Sequence, residues 1–153
     1  MNPTQFLKYV ITPTLADLDM YSPAAAMLLL GTAVTESNLE YLRQLPDGPA
    51  LSVYQIEPAT ARDVLYRYLP TRPSILARVE EFMTSQTVET QLLTNLAFAT
   101  AIARVKFWMV PQPLPDLLDS DGMGRYWKTH YNTAGGAGDP AKFARIYRAQ
   151  RLD

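Results

Sequence analysis

Residues 22–37 have the sequence SPAAAMLLLGTAVTES, which contains the longest purely apolar run of the chain, AAAMLLL. The Ser22-Pro23 pair supplies a hydroxyl N-cap and a proline at the first helical position, which favours the start of a helix. The apolar run is far shorter than the roughly 20 residues that a membrane-spanning helix needs. The segment therefore predicts a core helix that ends near Ser37, with Glu36 in its last turn.

The composition is that of a globular protein. The chain has 153 residues, 48% of them hydrophobic and 19% charged, and its net charge is −1. This length supports a core without disulfides or a structural metal. The lack of Cys and the single His leave no zinc ligand set, and the balanced charge argues against bulk nucleic-acid binding. We therefore expect one domain over residues 1–153, with no metal, no other cofactor and no nucleic-acid partner.

Proline and capping signals predict about seven helices around a central one. The expected helices begin near Pro3, Pro23, Pro58, Pro73, Val88, Leu117 and Pro140. Pro13 interrupts the first, and the apolar stretch from Val88 to Val110 predicts the central helix. Between residues 41 and 57, the turn cluster PDGP at 46–49 is flanked by apolar residues and predicts a small, irregular β-hairpin. The expected fold class is mainly α.

Glu36 is the first candidate for chemistry. It lies beside Ala33 and Leu39 at the end of an apolar helix, where partial loss of water would raise the pKa of its carboxyl toward that of a general acid. The alternative is a helix-end glutamate that reaches water, as most charged side chains do.

Three short segments, taken together and in order, resemble the lytic transglycosylase branch of the lysozyme superfamily. The first is Glu36-Ser37 at a helix end. The second, PALSVYQIEPATA at residues 49–61, is similar to the family pattern Gly-Ala-x-Gly-Leu-Met-Gln-Ile-x-Pro-x-Thr-Ala. The third, YNTAG at residues 131–135, is similar to the family's Ala-Tyr-Asn-Ala-Gly segment. Pro49 and Ser52 depart from the pattern because the family prefers glycine at both positions. The resemblance implies a lysozyme-like α+β fold.

The resemblance also implies a role for each matching side chain. Glu36 would be the catalytic acid and base, and Tyr131 would face it across a groove that Gln55 lines. The implied substrate-binding residues are Ser37, Ser52, Tyr54, Gln55, Tyr131 and Asn132. Members of the family cleave the β-1,4 bond between N-acetylmuramic acid and N-acetylglucosamine. A glutamic acid that stays protonated near neutral pH can donate the proton that the leaving oxygen needs.

The outcome of the reaction stays open at the level of sequence. A hydrolase would use a second carboxylate, for which Glu40, Asp47 and Glu57 are the nearby candidates. Lytic transglycosylases dispense with it, because the 6-hydroxyl of the muramic acid attacks and a 1,6-anhydro product forms.

Other features carry weaker signals. His130 has no Ser or Cys partner at a recognisable spacing, so we expect it at the surface or a helix end. Trp108, Tyr126 and Trp127 are expected in the core, with an aromatic side chain in the groove as the alternative. The basic residues on the last helix are expected to form a solvated face, or to hold an anionic polymer or a partner protein. These are Lys142, Arg145, Arg148 and Arg151.

Two functions follow from these observations. The first is a peptidoglycan-degrading enzyme, either a lytic transglycosylase or a lysozyme-like glycosidase. The second is a non-catalytic phage structural protein with a lysozyme-like fold, which Pro49 and Ser52 keep open. The N-terminal region lacks the basic-then-apolar order of a signal peptide. We therefore expect a bacteriophage protein, in the virion or in the host cytoplasm before release, that acts on the bacterial cell wall without membrane insertion. Its expected partners are peptidoglycan glycan strands, with other virion proteins as a further candidate.

Overall fold

Helices make up most of the computed structural model, which describes residues 1–132 and 136–151. The α-helices are α1 (Pro3–Phe6), α2 (Thr12–Asp17), α3 (Pro23–Ser37), α4 (Pro58–Asp63), α5 (Pro73–Glu80), α6 (Val88–Thr94), α7 (Leu96–Trp108), α8 (Ser120–Trp127) and α9 (Pro140–Gln150). Wider π-helical turns at Leu7–Ile11, Val64–Tyr68 and Lys128–Asn132 continue α1, α4 and α8, and a 3₁₀ turn at Leu69–Thr71 follows the second of them. The predicted mainly α class is confirmed.

Helix α3 forms as its sequence predicts. The Ser22 hydroxyl accepts a hydrogen bond from the amide of Ala25 at 3.0 Å, and Pro23 occupies the first turn. Ten of the 15 helix residues are buried, so α3 is a core helix. The helix ends at Ser37, and the next residue, Asn38, caps it with a left-handed backbone (φ 53°). Glu36 therefore lies in the final turn of a buried helix.

The predicted central helix over residues 88–110 is divided at Asn95, so its predicted length is wrong. The Asn95 side chain accepts a hydrogen bond from the amide of Phe98 and donates one to the Phe82 carbonyl at 2.7 Å. These bonds make Asn95 the N-cap of α7. Nine of the 13 residues of α7 are buried, so the shorter helix still occupies the centre of the core.

Pro13 does not interrupt the first helix, contrary to the sequence prediction. The π-helical turn Leu7–Ile11 precedes it, and Pro13 follows within the first turn of α2. A wider turn and an N-terminal position both tolerate a residue that lacks an amide hydrogen. The chain therefore stays helical from Pro3 to Asp17.

The predicted β-hairpin over residues 41–57 does not form. Two isolated antiparallel bridges, Arg43 to Leu51 and Leu51 to Ile56, are the sheet-like pairs in this segment. Pro46 and Pro49 lack the amide hydrogens that a ladder requires. The segment folds instead as a loop whose second half packs against the core through Leu51, Val53, Tyr54 and Ile56, whereas Tyr41, Leu42 and Leu45 are exposed.

Helix α9 packs closely against α3, which brings the C-terminal part of the chain to the end of the core helix. Gly31 permits this approach, because a Cβ atom there would lie 2.9 Å from the ring of Phe143. A single hydrophobic cluster contains buried residues from Phe6 to Tyr147. None of the helices described is both long enough and apolar enough to cross a membrane.

Candidate active site

Ser37 fixes the end of α3 to the loop of residues 50–56. Its buried hydroxyl lies 3.0 Å from the Ala33 carbonyl and 2.7 Å from the Val53 carbonyl, and it accepts a bond from the amide of Leu39 at 3.2 Å. The bond to Val53 spans 16 residues, so it is a tertiary link rather than a helix cap. The backbone that carries Glu36 is held against this loop as a result.

The loop turns sharply at Ser52, one of the two positions where the resembling family prefers glycine. Ser52 has a φ of 71°, in the left-handed region that glycine adopts most easily. Its hydroxyl accepts a hydrogen bond from the amide of Tyr54 at 3.0 Å, while Leu51 and Ile56 exchange backbone bonds of 2.8 and 2.7 Å across the turn. The serine thus adopts the turn that a glycine would favour, with a local hydrogen bond to support it.

Two tyrosines connect the loop to α7 and to the turn that follows α8. The hydroxyl of Tyr131 donates to the Tyr54 carbonyl at 2.6 Å, and the hydroxyl of Tyr54 lies 2.9 Å from that of Thr100 on α7. Burial raises the pKa of both tyrosines, so both remain protonated near neutral pH. These bonds hold the loop and Tyr131 in fixed relative positions.

These elements border an open groove of about 660 Å³. Of the predicted site residues, Glu36, Gln55, Tyr131 and Asn132 line it. Ser37, Ser52 and Tyr54 are buried behind its surface, where they support the backbone. The structure therefore brings the catalytic candidate together with three of the six substrate-binding candidates.

The carboxyl of Glu36 is sheltered from water within this groove. Burial raises the pKa of Glu36 from 4.5 to about 7, against the opposing effects of the Lys106 charge and the Trp127 indole. A carboxyl with this pKa is protonated in about half of the molecules at neutral pH, so it can both give and take a proton. The structure therefore places the Glu36 carboxyl in a partly buried position in the groove, as the sequence suggested.

Lys106 on α7 is a groove residue that the sequence did not reveal. Its ammonium donates to the Tyr131 carbonyl at 3.3 Å and lies 3.9 Å from the centre of the Tyr131 ring. Burial lowers the pKa of Lys106, while the charges of Glu36 and Glu57 raise it. Lys106 thus supports Tyr131 and also favours the ionised form of Glu36. Its position in a strongly apolar helix was the available signal, because a lysine there needs a polar surface.

Trp127 also lines the groove, although its side chain is almost wholly buried. The indole N–H lies near enough to the Glu36 carboxyl to lower the pKa of the acid. It makes no hydrogen bond of standard geometry with any residue in the described ranges. This N–H is thus a donor directed to the site without a strong partner, which is unusual for a buried polar group.

Asn132 closes the other side of the groove. Its side-chain oxygen accepts bonds from the Lys128 ammonium at 2.9 Å and from the Gly138 amide at 3.1 Å, and Lys128 also donates to the Gly136 carbonyl at 2.7 Å. These contacts hold the backbone of Gly136 and Gly138 against the Asn132 side chain and Lys128. The remaining positions of the YNTAG segment, Thr133, Ala134 and Gly135, lie outside the described residues.

The three candidates for a second carboxylate occupy different positions. Glu57 lines the groove, whereas Glu40 is exposed next to Asn38 and Asp47 is exposed in the loop. Asp139 also borders the groove, where its carboxylate accepts a bond from the Ala141 amide at 2.9 Å. Glu57 is therefore the sequence candidate that shares the groove with Glu36.

The remaining residues considered from the sequence, the histidine, the tryptophan and the basic helix face, lie in different surroundings. His130 packs edge-on against Tyr126, with ring centres 4.6 Å apart, and does not line the groove. Trp108 is exposed rather than in the core. Lys142 of the basic helix face borders the groove, whereas Arg148 pairs with Asp121 on α8. Within residues 1–132 and 136–151, no group of three or more acidic or histidine side chains is arranged to hold a metal ion.

Comparison of the chain with protein-family models, with curated proteins and with solved structures gives no match in any of the three. The short sequence segments and the geometry of the groove are therefore the features that bear on function.

Proposed function

We propose that this protein is a glycosidase that cleaves peptidoglycan, with Glu36 as its general acid and base. The observation that carries the proposal is the Glu36 carboxyl, whose pKa is raised to about 7 in a groove shared with Gln55 and Tyr131. A proton donor of this kind suits the cleavage of a β-1,4 glycosidic bond, because the leaving oxygen must be protonated.

In the first step the protonated Glu36 donates its proton to the oxygen that joins two sugars, and the bond from that oxygen to the anomeric carbon breaks. Glu36 is then a carboxylate, and the nearby charge of Lys106 favours this form. In the second step the carboxylate accepts a proton from the group that attacks the anomeric carbon. Glu36 returns to its protonated form at the end of the cycle.

The attacking group is the 6-hydroxyl of the muramic acid in a lytic transglycosylase and water in a lysozyme-like hydrolase. Glu57 also lines the groove, which keeps hydrolysis as the second candidate, because in that case Glu57 would take the place of Glu36 in accepting the proton of the attacking water. Mass spectrometry of the released fragments separates the outcomes, because transglycosylation gives 1,6-anhydro ends and hydrolysis gives reducing ends.

Replacement of Glu36 by Gln tests the proposal. We expect the parent protein to clear a suspension of purified peptidoglycan and Glu36→Gln to reduce the rate by at least about a hundredfold, since it removes the proton donor. Glu40→Gln is the matched control, because Glu40 is exposed and outside the groove. A parent that does not cleave peptidoglycan would support the non-catalytic alternative. The origin in a bacteriophage stays a prediction.

A further inference from the structure

A second pocket, of about 250 Å³, lies beside α7 and shares no residue with the Glu36 groove. Arg104 on α7 contributes to it, and the neighbouring walls are Phe107, Trp108, Tyr126 and the proline-rich segment 110–114. Residues two positions apart in a helix point in nearly opposite directions. The side chains of Arg104 and Lys106 therefore lie on opposite sides of α7. The function proposed above does not use this pocket.

Arg104 is the charged group of the pocket, and only 6% of its surface is exposed. Its Nε–H donates to the Met20 carbonyl at 3.1 Å. No carboxylate of the described residues lies within ion-pair distance of the Arg104 guanidinium. Its other two nitrogens make no hydrogen bond to any described residue. A buried charge is expensive unless an opposite charge compensates it. The pocket therefore contains a largely buried cation, and no carboxylate from residues 1–132 or 136–151 pairs with it.

The aromatic walls give the pocket an open apolar side. Trp108 is 46% exposed, and the Arg104 guanidinium lies 5.4 Å from the centre of its ring. Tyr126 donates its hydroxyl hydrogen to the Gln112 carbonyl at 3.0 Å, which fixes the proline-rich segment over the pocket. Ligand pockets are lined mainly by apolar and aromatic side chains with a few placed polar or charged groups, and Trp108 beside Arg104 fits this description.

We propose that this pocket binds a small organic carboxylate, whose charge pairs with Arg104 and whose apolar part packs against Trp108. A guanidinium presents paired donors that match the two oxygens of a carboxylate. One carboxylate balances the single charge of Arg104, whereas a phosphate dianion would leave a second charge against apolar walls. Burial lowers the pKa of Arg104, but an arginine remains charged at all ordinary pH values and so remains available for pairing.

Binding of benzoate, compared with uncharged benzamide, tests this proposal by NMR. We expect saturable benzoate-dependent shifts of the Trp108 indole and Arg104 Nε–H signals, with no saturable shift from benzamide. Arg104→Gln should weaken benzoate binding by at least about tenfold, because it removes a charge-assisted hydrogen bond. Arg145→Gln is the charge-matched control on an exposed helix face and should bind as the parent does.

Trp108→Leu provides a second test that does not depend on the buried arginine, whose bond to Met20 also supports the fold. It should keep the fold and weaken benzoate binding, since it removes the apolar platform. The proposal is overturned if benzoate causes no saturable shift, if benzamide binds as well as benzoate, or if Arg145→Gln loses as much affinity as Arg104→Gln. These outcomes are separate from peptidoglycan cleavage, which the proposal does not require.

Discussion

Glu36 lies near the C-terminus of one helix and Glu89 near the N-terminus of another. The fold shifts the pKa values of their carboxyls in opposite directions. Glu36 lies in the last turn of α3, where burial raises the pKa of its carboxyl to about 7. Glu89 lies in the first turn of α6, where a hydrogen bond from the exposed Arg62 lowers its pKa. A helix favours negative charge at its N-terminus and disfavours it at its C-terminus. The helix dipole therefore also raises the pKa of Glu36 and lowers that of Glu89.

The difference shows that shelter from water, rather than the presence of a glutamate, produces a proton donor. Glu89 has a cation beside it and open solvent around it, so it remains a carboxylate. Glu36 also has a cation nearby, Lys106, but the loss of water around its carboxyl outweighs that charge. The loop that Ser37 and Tyr131 hold against α3 is therefore part of the candidate chemistry.

The largest expected effect is on the pH dependence of stability. The Glu36 carboxyl titrates near 4.5 when unfolded and at about 7 when folded, so the folded state binds the extra proton between these values. Glu36 alone should lower the free energy of unfolding by about 3 kcal/mol as the pH rises from 4 to 8. Glu36→Gln should remove this fall, which denaturant unfolding at both pH values would reveal. An equal fall in parent and variant would contradict the sheltered carboxyl.

Removal of the Ser37 hydroxyl should have the next largest effect. Ser37→Ala leaves the buried Val53 carbonyl without this donor and should destabilise the fold by about 1–3 kcal/mol. It should also lower the pKa of Glu36, because the loop is freed from α3. Thr94→Ala is the matched control, since the exposed Thr94 hydroxyl donates to the Thr90 carbonyl within its own helix. Equal losses in the two variants, measured by denaturant unfolding, would contradict a special role for Ser37.

Lys106 sets the balance between the two forms of Glu36. Lys106→Met should raise the pKa of Glu36, because the lysine charge lowers it in the parent. Lys106→Arg should keep the pKa closer to that of the parent, since it preserves the charge. Titration of the Glu36 carboxyl by NMR in both variants measures the effect. A lower Glu36 pKa in Lys106→Met than in the parent would contradict the effect assigned to the lysine charge.

The smallest expected effect comes from Glu89. Its pKa is lowered in the folded state, so it contributes stability above the pKa of the unfolded carboxyl and loses it as the pH falls through the folded value. Glu89→Gln should therefore destabilise the protein slightly at pH 7 and less at pH 3. The sign is opposite to that for Glu36, and the screened, exposed pair with Arg62 keeps the effect small. A Glu89→Gln effect as large as that of Glu36→Gln would erase the contrast.

Local signals in the sequence predicted the helix that carries Glu36. Ser22 and Pro23 specify where α3 begins, and its apolar composition predicts burial, so the position of Glu36 in the last turn could be inferred. The division of the central helix could not be inferred in the same way. Asn95 caps α7 while it also bonds to the Phe82 carbonyl, and that partner comes from another part of the fold.

The candidate site shows the same limit. The short segments predicted that Glu36, Gln55 and Tyr131 would meet at one groove, and all three line it. They did not predict Lys106 or the groove position of Trp127, because the side of a buried helix that faces a cavity depends on its neighbours. The turn cluster at residues 46–49 predicted a hairpin, whereas the left-handed residues Ser52 and Gln55 and the two prolines produce an irregular loop.

Titration of the Glu36 carboxyl carbon by NMR tests the central claim most directly, since it requires neither a substrate nor an assay of activity. We predict a single midpoint at about pH 7 for Glu36, in a protein whose fold is intact over the whole range. A midpoint near 4.5, the ordinary value for a glutamate in water, would show that the carboxyl is not sheltered and would contradict the account.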